Sequence, residues 1–383
     1  MIINKNEARY LALQNQKLLN VFSGKTKKDL LKIIEAIGYV QIDTISIVER
    51  AHHHILWTRM PAYKRTMLDE LLEKDKKIFE YWSHAAAFLP IKDFRFSFYR
   101  QEKYRKNYEV WANKNRKIVN LVLDRIKAEG PLQSKDFEHT GKKGNGWWDW
   151  KPAKYALQHL FHEGTLMIAS RKGFQKVYDL TENVLPKETD TTVPTEEEFH
   201  EHMILSAINS YGFAAEKEIK YQRANDAKIL KNVINRLKEE NNIVEFKIRG
   251  IESETYYSTD KNLKRIKNSD ESSLLYILSP FDNIIIQRKR TKNIFDFDYT
   301  VEFYLPSSKR TFGYYCMPVL YGNKFIGRLD AKANRQTGIF EIINFFPEDK
   351  KLTTLKIKEA LKEKITELSL FTGCEEVNWN GKI

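Results

Sequence analysis

"KPAKYALQHLFHEGTLMIASRKGFQKVYDLT" runs from Lys151 to Thr181, and the order of its parts decides the fold. Its first half carries apolar residues at helical spacing, with Pro152 near the start and Gly164 just past the end, where helix termini prefer those residues. The second half, "LMIASRKGFQKVYDLT", reads as a β-hairpin with Arg171, Lys172 and Gly173 at its tip. Upstream, "NRKIVNLVLDRIKAEGPLQSKDF" (115–137) reads as a helix, a glycine stop and a short second helix. Helix, turn, helix, hairpin is the order of a winged helix. "GWWDW", just before Lys151, reads as a packing cluster, with a base wedge as the alternative.

The same order returns downstream. Past a linker-like "PKETDTTVPTEEE" come "EEFHEHMILSAINSYG", "AAEKEIKYQ" and "DAKILKNVINRLKEEN", then the hairpin "IVEFKIRGIESETYYS". Toward the N terminus the scheme fits less cleanly. "NKNEARYLALQNQ" and "TKKDLLKIIEAIG" are helical, "YVQIDT" alternates like a strand and sits near a wing, and "SIVERAHHH" resumes a helix. Ser46 and Glu49 fit a capping box, predicting a helix that begins near Ser46. From Leu274 onward, short runs such as "NIIIQRK", "YTVEFYLP", "FGYYCMPVLY", "KFIGRLD" and "GIFEIINFF" predict strands of a small barrel or strongly curved sheet. An amphipathic helix within "DKKLTTLKIKEALKEKITELSLFTG" closes the chain. The expected fold is α+β: three tandem winged-helix domains, then a small C-terminal β-barrel and a terminal helix. The expected domains are 1–113, with the "YVQIDT" strand, then 114–186, 196–262 and 272–383.

Of 383 residues, 64 are Lys or Arg and 51 are Asp or Glu, a net charge of +13 spread along the chain. That excess points to a polyanionic partner, nucleic acid ahead of a membrane surface. The two cysteines, Cys316 and Cys374, lack metal-ligand spacing and argue for a reducing compartment. Without a signal-peptide core or a bilayer-length apolar run, the expectation is a cytoplasmic protein, nucleoid-associated when bound to DNA, with no membrane partner.

"GYVQIDTISIVERAHHHILWTR" (Gly38–Arg59) holds the residues able to do chemistry. On an extended strand Gln41 and Asp43 point one way and Val40 and Ile42 the other, whereas on a helix the pair would diverge. An amide and a carboxylate then stand side by side above an apolar floor, although a solvent-facing strand edge explains the same pattern. His52, His53 and His54 are consecutive, so a helix spreads them around its axis and they cannot chelate one metal. They are expected at the surface or facing DNA. His159 and His162 have helical spacing but no third ligand, and no metal or other cofactor is expected. Between Lys92 and Lys117, nine Lys/Arg stand against three acids and alternate with aromatics. That run fits phosphate binding beside stacking platforms, or equally an amphipathic helix with its aromatics in the core.

Five stretches together carry a resemblance: "GYVQIDTISIVERAHHHILWTR", "YWSHAAAFLP", "GWWDWKPAKYALQHLFHEG", "LSPFDNIIIQRKR" and "KRTFGYYCMPVLYGNKFIGRLDAKA". In this order, over about residues 38–333, they resemble the YcaQ-like (AlkZ/AlkX-type) winged-helix DNA glycosylases. The resemblance implies removal of alkylated purines, including unhooking of interstrand cross-links, from double-stranded DNA. It also implies a catalytic glutamine–aliphatic–glutamine/aspartate element, which falls on Gln41, Ile42 and Asp43 in its aspartate form. An N7-alkylated guanine is already cationic and leaves readily. A carboxylate at Asp43 would stabilise the cationic sugar and polarise a water, and Gln41 would orient that water. DNA contacts are expected from His52, His53, His54, Arg59, Arg171, Lys172, Arg288, Arg290, Arg310, Arg328 and Lys332, with Arg328 and Asp330 equally able to form a structural ion pair.

A lysine able to form an imine is missing from "VQIDT" and from "SIVERAHHHILWTR", so the expected enzyme is monofunctional. It is also expected to act as a monomer. The alternative is a winged-helix transcription regulator without activity. A metal-dependent nuclease lacks the clustered acids that two-metal chemistry needs.

Overall fold

The computed structural model describes residues 1–137, 151–223, 225–268, 273–349 and 354–382; "GWWDW" lies outside them. The chain starts with β1 (Ile2–Ile3) and α1 (Lys5–Asn15). A first unit follows: α2 (Lys27–Ile37), β2 (Val40–Gln41), α3 (Ala51–Arg59), α4 (Arg65–Glu73), β3 (Ile78–Trp82) and β4 (Ala86–Pro90). Thr26 and Asp29 satisfy each other's backbone donors at the start of α2, and Leu30, Ile33, Ile34 and Ile37 form its buried stripe. Gly38, at φ +82°, ends the helix in a conformation that only glycine adopts freely, and the chain turns straight into β2. The sheet order is β2-β4-β3, with Val40 opposite Phe88 and Gln41 opposite Ala87.

α5 (Phe98–Lys114) leads to a second unit of α6 (Arg116–Glu129), β5 (Leu132–Gln133), α7 (Lys151–His162), β6 (Leu166–Lys172) and β7 (Gln175–Leu180), followed by the short α8 (Thr181–Val184). A third unit holds α9 (Glu196–Tyr211), β8 (Ala214–Ala215), α10 (Glu216–Ile219), α11 (Ala227–Glu239), β9 (Val244–Ile248) and β10 (Tyr256–Ser258), with α12 (Asp260–Lys264) after it. The second sheet runs β5-β7-β6 and the third β8-β10-β9, so each repeats the first: a two-residue strand at one edge, then the last strand, then the middle one.

The N terminus departs from its expected place in the first unit. β1 adds in parallel to the free edge of β9, and Ile3, Ala8, Leu11 and Ala12 share a core with Phe213, Phe246 and Tyr256 of the third unit. An unpaired strand edge is a ready template for such addition.

The C-terminal region contains β11 (Leu275–Ile277), α13 (Asn283–Ile286), α14 (Arg288–Phe295), β12 (Cys316–Tyr321), β13 (Lys324–Asn334), β14 (Ile339–Pro347), α15 (Leu355–Thr372) and β15 (Glu376–Asn378). Among the described residues its five strands form an open sheet, ordered β11 to β15, instead of a closed barrel. Register shifts at Val319/Leu320 and Asp330/Ala331 mark the bulges that bend it. "NIIIQRK" is helical here instead of extended, because Asp282 accepts from Ile284 N and caps α13. "YTVEFYLP" runs as a loop in place of the expected strand: backbone N–H groups of Thr311, Phe312 and Gly313 bond to the Glu302 carboxylate, so the segment closes on a side chain.

One core joins this sheet to the first unit: Val40, Ile42, Ile55 and Leu56 cluster with Ile277, Tyr315, Met317, Val319 and Leu329. Each fully buried aliphatic or aromatic side chain there contributes roughly 1.5–3 kcal/mol. Among the described residues no helix is long and apolar enough to cross a membrane.

Candidate active site

The alternation in "VQID" has the expected consequence for its apolar half: Val40 and Ile42 enter the core. Ile42 N bonds to Ala86 O at 2.8 Å, so the strand geometry reaches one residue beyond β2. Gln41 is mostly buried on the other face, and Asp43 is half-buried at the strand's end.

Ile45 N donates to Asp43 Oδ1 at 2.8 Å, closing a tight turn around the carboxylate. Burial raises the Asp43 pKa above the ordinary aspartate value, opposed by the backbone N–H groups of Ile45 and Thr44. Tyr315, just before β12, is near enough that the Asp43 charge disfavours ionisation of its phenol.

Gln41 has a partner that the sequence reading did not single out. His84, in the turn between β3 and β4, lies 3.0 Å from Gln41 Oε1 through its Nε2. A carbonyl oxygen only accepts, so His84 Nε2 carries the hydrogen and donates. The site therefore offers a fixed amide, a half-exposed carboxylate with raised basicity and an apolar floor.

A family model described as "DNA glycosylase AlkZ-like" matches residues 34–371. The chain belongs to the AlkZ-like DNA glycosylase family. The fold of Streptomyces sahachiroi DNA glycosylase AlkZ is similar, with a TM-score of 0.67 at 14% identity over 99% of this chain and 100% of that one. The matched span includes Gln41, Asp43 and His84, so the glycosylase carries its candidate site within the family region.

The glycosylase does not cap α3 as expected. The helix begins at Ala51, with no side-chain cap at Arg50. Glu49 is ion-paired with Arg65, and its Oε1 accepts from Arg50 N. The intervening backbone is pinned to the C-terminal sheet: Ala333 N donates to Ile47 O at 2.9 Å, and Arg335 bonds the carbonyls of Ser46 and Val48. Of the groups a capping box would use, the Glu49 carboxylate is taken by Arg65, and the carbonyl contacts of residues 46–48 tie that segment to the C-terminal sheet.

All three histidines are buried, contrary to their expected exposure, because α3 is enclosed all round. His53 Nδ1 meets the Tyr63 hydroxyl at 2.7 Å, and His54 Nε2–H donates to Ile277 O at 2.9 Å. His52 stacks on Phe174, the tip residue of the second unit's hairpin. Burial depresses all three imidazoles, His53 and His54 to about 4, so they are neutral near pH 7 and present no cation to phosphate.

Arg59 is likewise interior. Its Nη1 and Nη2 bond to the Asp282 carboxylate at 2.7 and 2.9 Å, and its Nε donates to Gln16 O. Neither side chain of this ion pair has any exposed surface. Arg171 bonds to the buried Glu80 of β3, at 2.9 Å from Nε and 2.8 Å from Nη2, and its Nη1 donates to Phe174 O. The Arg50 and Arg171 guanidiniums both lie over the Phe174 ring, 4.2 and 4.4 Å from its centre. The second hairpin is therefore docked against the first unit, and only Lys172 of its expected phosphate contacts is exposed.

Arg290 is buried against Glu218 and Arg328 against Glu348, so Arg328 pairs elsewhere than Asp330. Arg288 is partly buried and bonds to the carbonyls of Ile285 and Pro280. Arg310 stays partly exposed over the Tyr314 ring, and Lys332 is exposed. In α5 only Gln101 is buried, which leaves Lys103, Arg105 and Lys106 on an open face.

His84 had a legible signal, since "YWSHAAAFLP" is one of the stretches that carry the resemblance. Its contact with Gln41 depends on the β2–β4 register, which the sequence does not state.

Proposed function

We propose that this glycosylase is monofunctional and hydrolyses the N-glycosidic bond of N7-alkylated purines, including bases cross-linked to the opposite strand. The observation that carries this reading is the half-exposed Asp43 carboxylate, held at the end of β2 beside an amide. N7-alkylation places a positive charge on the purine, so the bond breaks with the electron pair moving onto the base and needs no strong acid. The remaining demand is on the sugar: a carboxylate stabilises the cation developing at C1′ and takes a proton from the attacking water. Raised basicity suits Asp43 to that second task. A base tethered to the opposite strand cannot swing into a closed pocket, and a half-exposed carboxylate suits attack on a base left near the duplex.

In this reading the three repeated units are winged helices that bind double-stranded DNA as a monomer, with α5, Lys172, Arg310 and Lys332 meeting phosphates. The domain limits in this reading are 114–186 and 196–262 for the second and third units, with the C-terminal sheet and terminal helix in 272–383. The enzyme works in the cytoplasm on nucleoid DNA, without a cofactor.

The test is a duplex carrying one N7-alkylguanine. Incubation should release the base, and strand breakage at that position should appear only after alkali. EDTA should leave the rate unchanged, and borohydride added during turnover should trap no covalent complex. A borohydride-trapped adduct that disappears on mutating one lysine would replace the water mechanism by an imine, and failure to release the base would overturn the reading.

A further inference from the structure

Gln41 is at the reacting end of the site, but nothing in its own strand decides which end of its amide faces outward. The two orientations are nearly equal in shape and opposite in chemistry, one presenting an acceptor and the other two donors. In the structure Oε1 faces the turn Ser83–Ala85. Ser83 N bonds to Ala85 O at 2.9 Å, holding His84 above β2, and His84 Nε2–H reaches Gln41 Oε1 at 3.0 Å. Among the described residues no acceptor engages the Gln41 amide nitrogen.

The imidazole is itself held on two sides. The Tyr39 ring meets it edge-on at 5.0 Å, and Tyr221 of the third unit packs 5.8 Å away. Arg223, also from the third unit, bonds to Ser83 Oγ at 3.4 Å. Burial and the Arg223 charge keep the ring neutral, pushing its pKa down to about 4. A neutral donor adds no second positive charge beside a cationic sugar.

We propose that His84 is a positioning residue: by occupying the Gln41 carbonyl it turns the amide N–H groups outward, toward an oxygen of the damaged strand. This rests on the glycosylase reading above. It also revises the role of Gln41, from a holder of water to a donor that fixes the DNA beside Asp43. The third unit thereby contributes to the site through Tyr221 and Arg223 without touching the reacting atoms.

The test is single-turnover excision from the N7-alkylguanine duplex by His84→Ala, Gln41→Ala and the double variant, with DNA affinity measured in parallel. His84→Ala should lower the rate about tenfold, the order of one aligned hydrogen bond, with affinity within about twofold of wild type. The double variant should be no slower than Gln41→Ala alone, because the histidine acts only through the amide. His84→Gln places an N–H donor at a similar reach and should restore most of the rate. Gln41→Glu keeps the acceptor that a water would use but removes the donors, and should be as slow as Gln41→Ala. Full activity in His84→Ala, additive losses in the double variant or an active Gln41→Glu would each overturn the proposal. Should His84→Ala fail to fold by thermal melting, His84→Gln against His84→Leu gives the same comparison. If wild type releases no base, the glycosylase reading fails; if it does and His84→Ala is silent, only this inference fails.

Discussion

Residues 40–43 and 52–59 sit within twenty positions of each other, and the glycosylase treats their polar groups in opposite ways. Asp43 is half-buried and keeps an open side, with its pKa raised. Arg59, His53 and His54 are held by interior partners, namely the Asp282 carboxylate, the Tyr63 hydroxyl and the Ile277 carbonyl. A titratable side chain is available for chemistry when the fold leaves it a solvent-facing side, and is architecture when it is buried against interior partners. Three consecutive histidines and an arginine are the more eye-catching residues, yet they hold α3 between the first unit and the C-terminal sheet.

The largest expected effect is on the architectural side. Arg59→Met leaves Asp282 buried without its counter-charge and should cost about 3–5 kcal/mol of stability, read from urea unfolding. A loss near that of an exposed pair, about 1 kcal/mol or less, would show that the pair is not interior and would dissolve the contrast.

On the chemical side, Asp43→Asn keeps the shape of the turn and removes the charge. Excision should fall at least a hundredfold, on the order of 3 kcal/mol of barrier, while unfolding midpoint and DNA affinity hardly change. Its pH profile sharpens the point. Burial raises the Asp43 pKa, so the wild-type rate should fall on the acid side at a pH above that of a free aspartate, and the variant should lack that limb. A variant that excises like wild type would move the chemistry away from residues 40–43.

The histidines should instead register in stability. The folded His54 pKa is about 4 against an ordinary 6.5, so the unfolded chain binds the proton first as pH falls. The stability is complete above 6.5 and is lost on the way down to about 4, on the order of 3 kcal/mol for this group. His54→Gln keeps an N–H donor for Ile277 O and cannot titrate, so urea unfolding should lose that much of its acid sensitivity while excision at neutral pH persists. An unchanged acid slope would mean that His54 is hydrated in the folded state.

The smallest effect separates two neighbours at the second hairpin's tip. Lys172→Ala should shallow the salt dependence of DNA binding by about one unit, as for one lost phosphate contact. Arg171→Ala should leave that slope alone, because Arg171 is committed to Glu80. Equal slope changes for both would undock the hairpin from the first unit.

Local patterns were enough to announce several elements before any tertiary contact was known. The helical spacing within "TKKDLLKIIEAIG" announced α2, whose buried stripe is Leu30, Ile33, Ile34 and Ile37. The alternation in "VQID" put Val40 and Ile42 in the core. These features depend on neighbours within four residues, so periodicity is sufficient to read them, whereas Gln41 and Asp43 were singled out by the resemblance to the glycosylase family.

What the fold alone decided lies across long separations. Ser46 and Glu49 formed no cap, since Arg65, Ala333 and Arg335 claimed that segment. The N-terminal strand left its own unit for the edge of β9, and the basic residues chosen for DNA split between Lys172, Lys332 and a partly exposed Arg310 on one side and the buried, ion-paired Arg59, Arg290 and Arg328 on the other. Charge is a property of a residue, but its availability depends on which carboxylate or carbonyl the folded chain brings against it. The same holds for Gln41: its identity is in the sequence, and the direction its amide faces is set by His84, forty-three residues away.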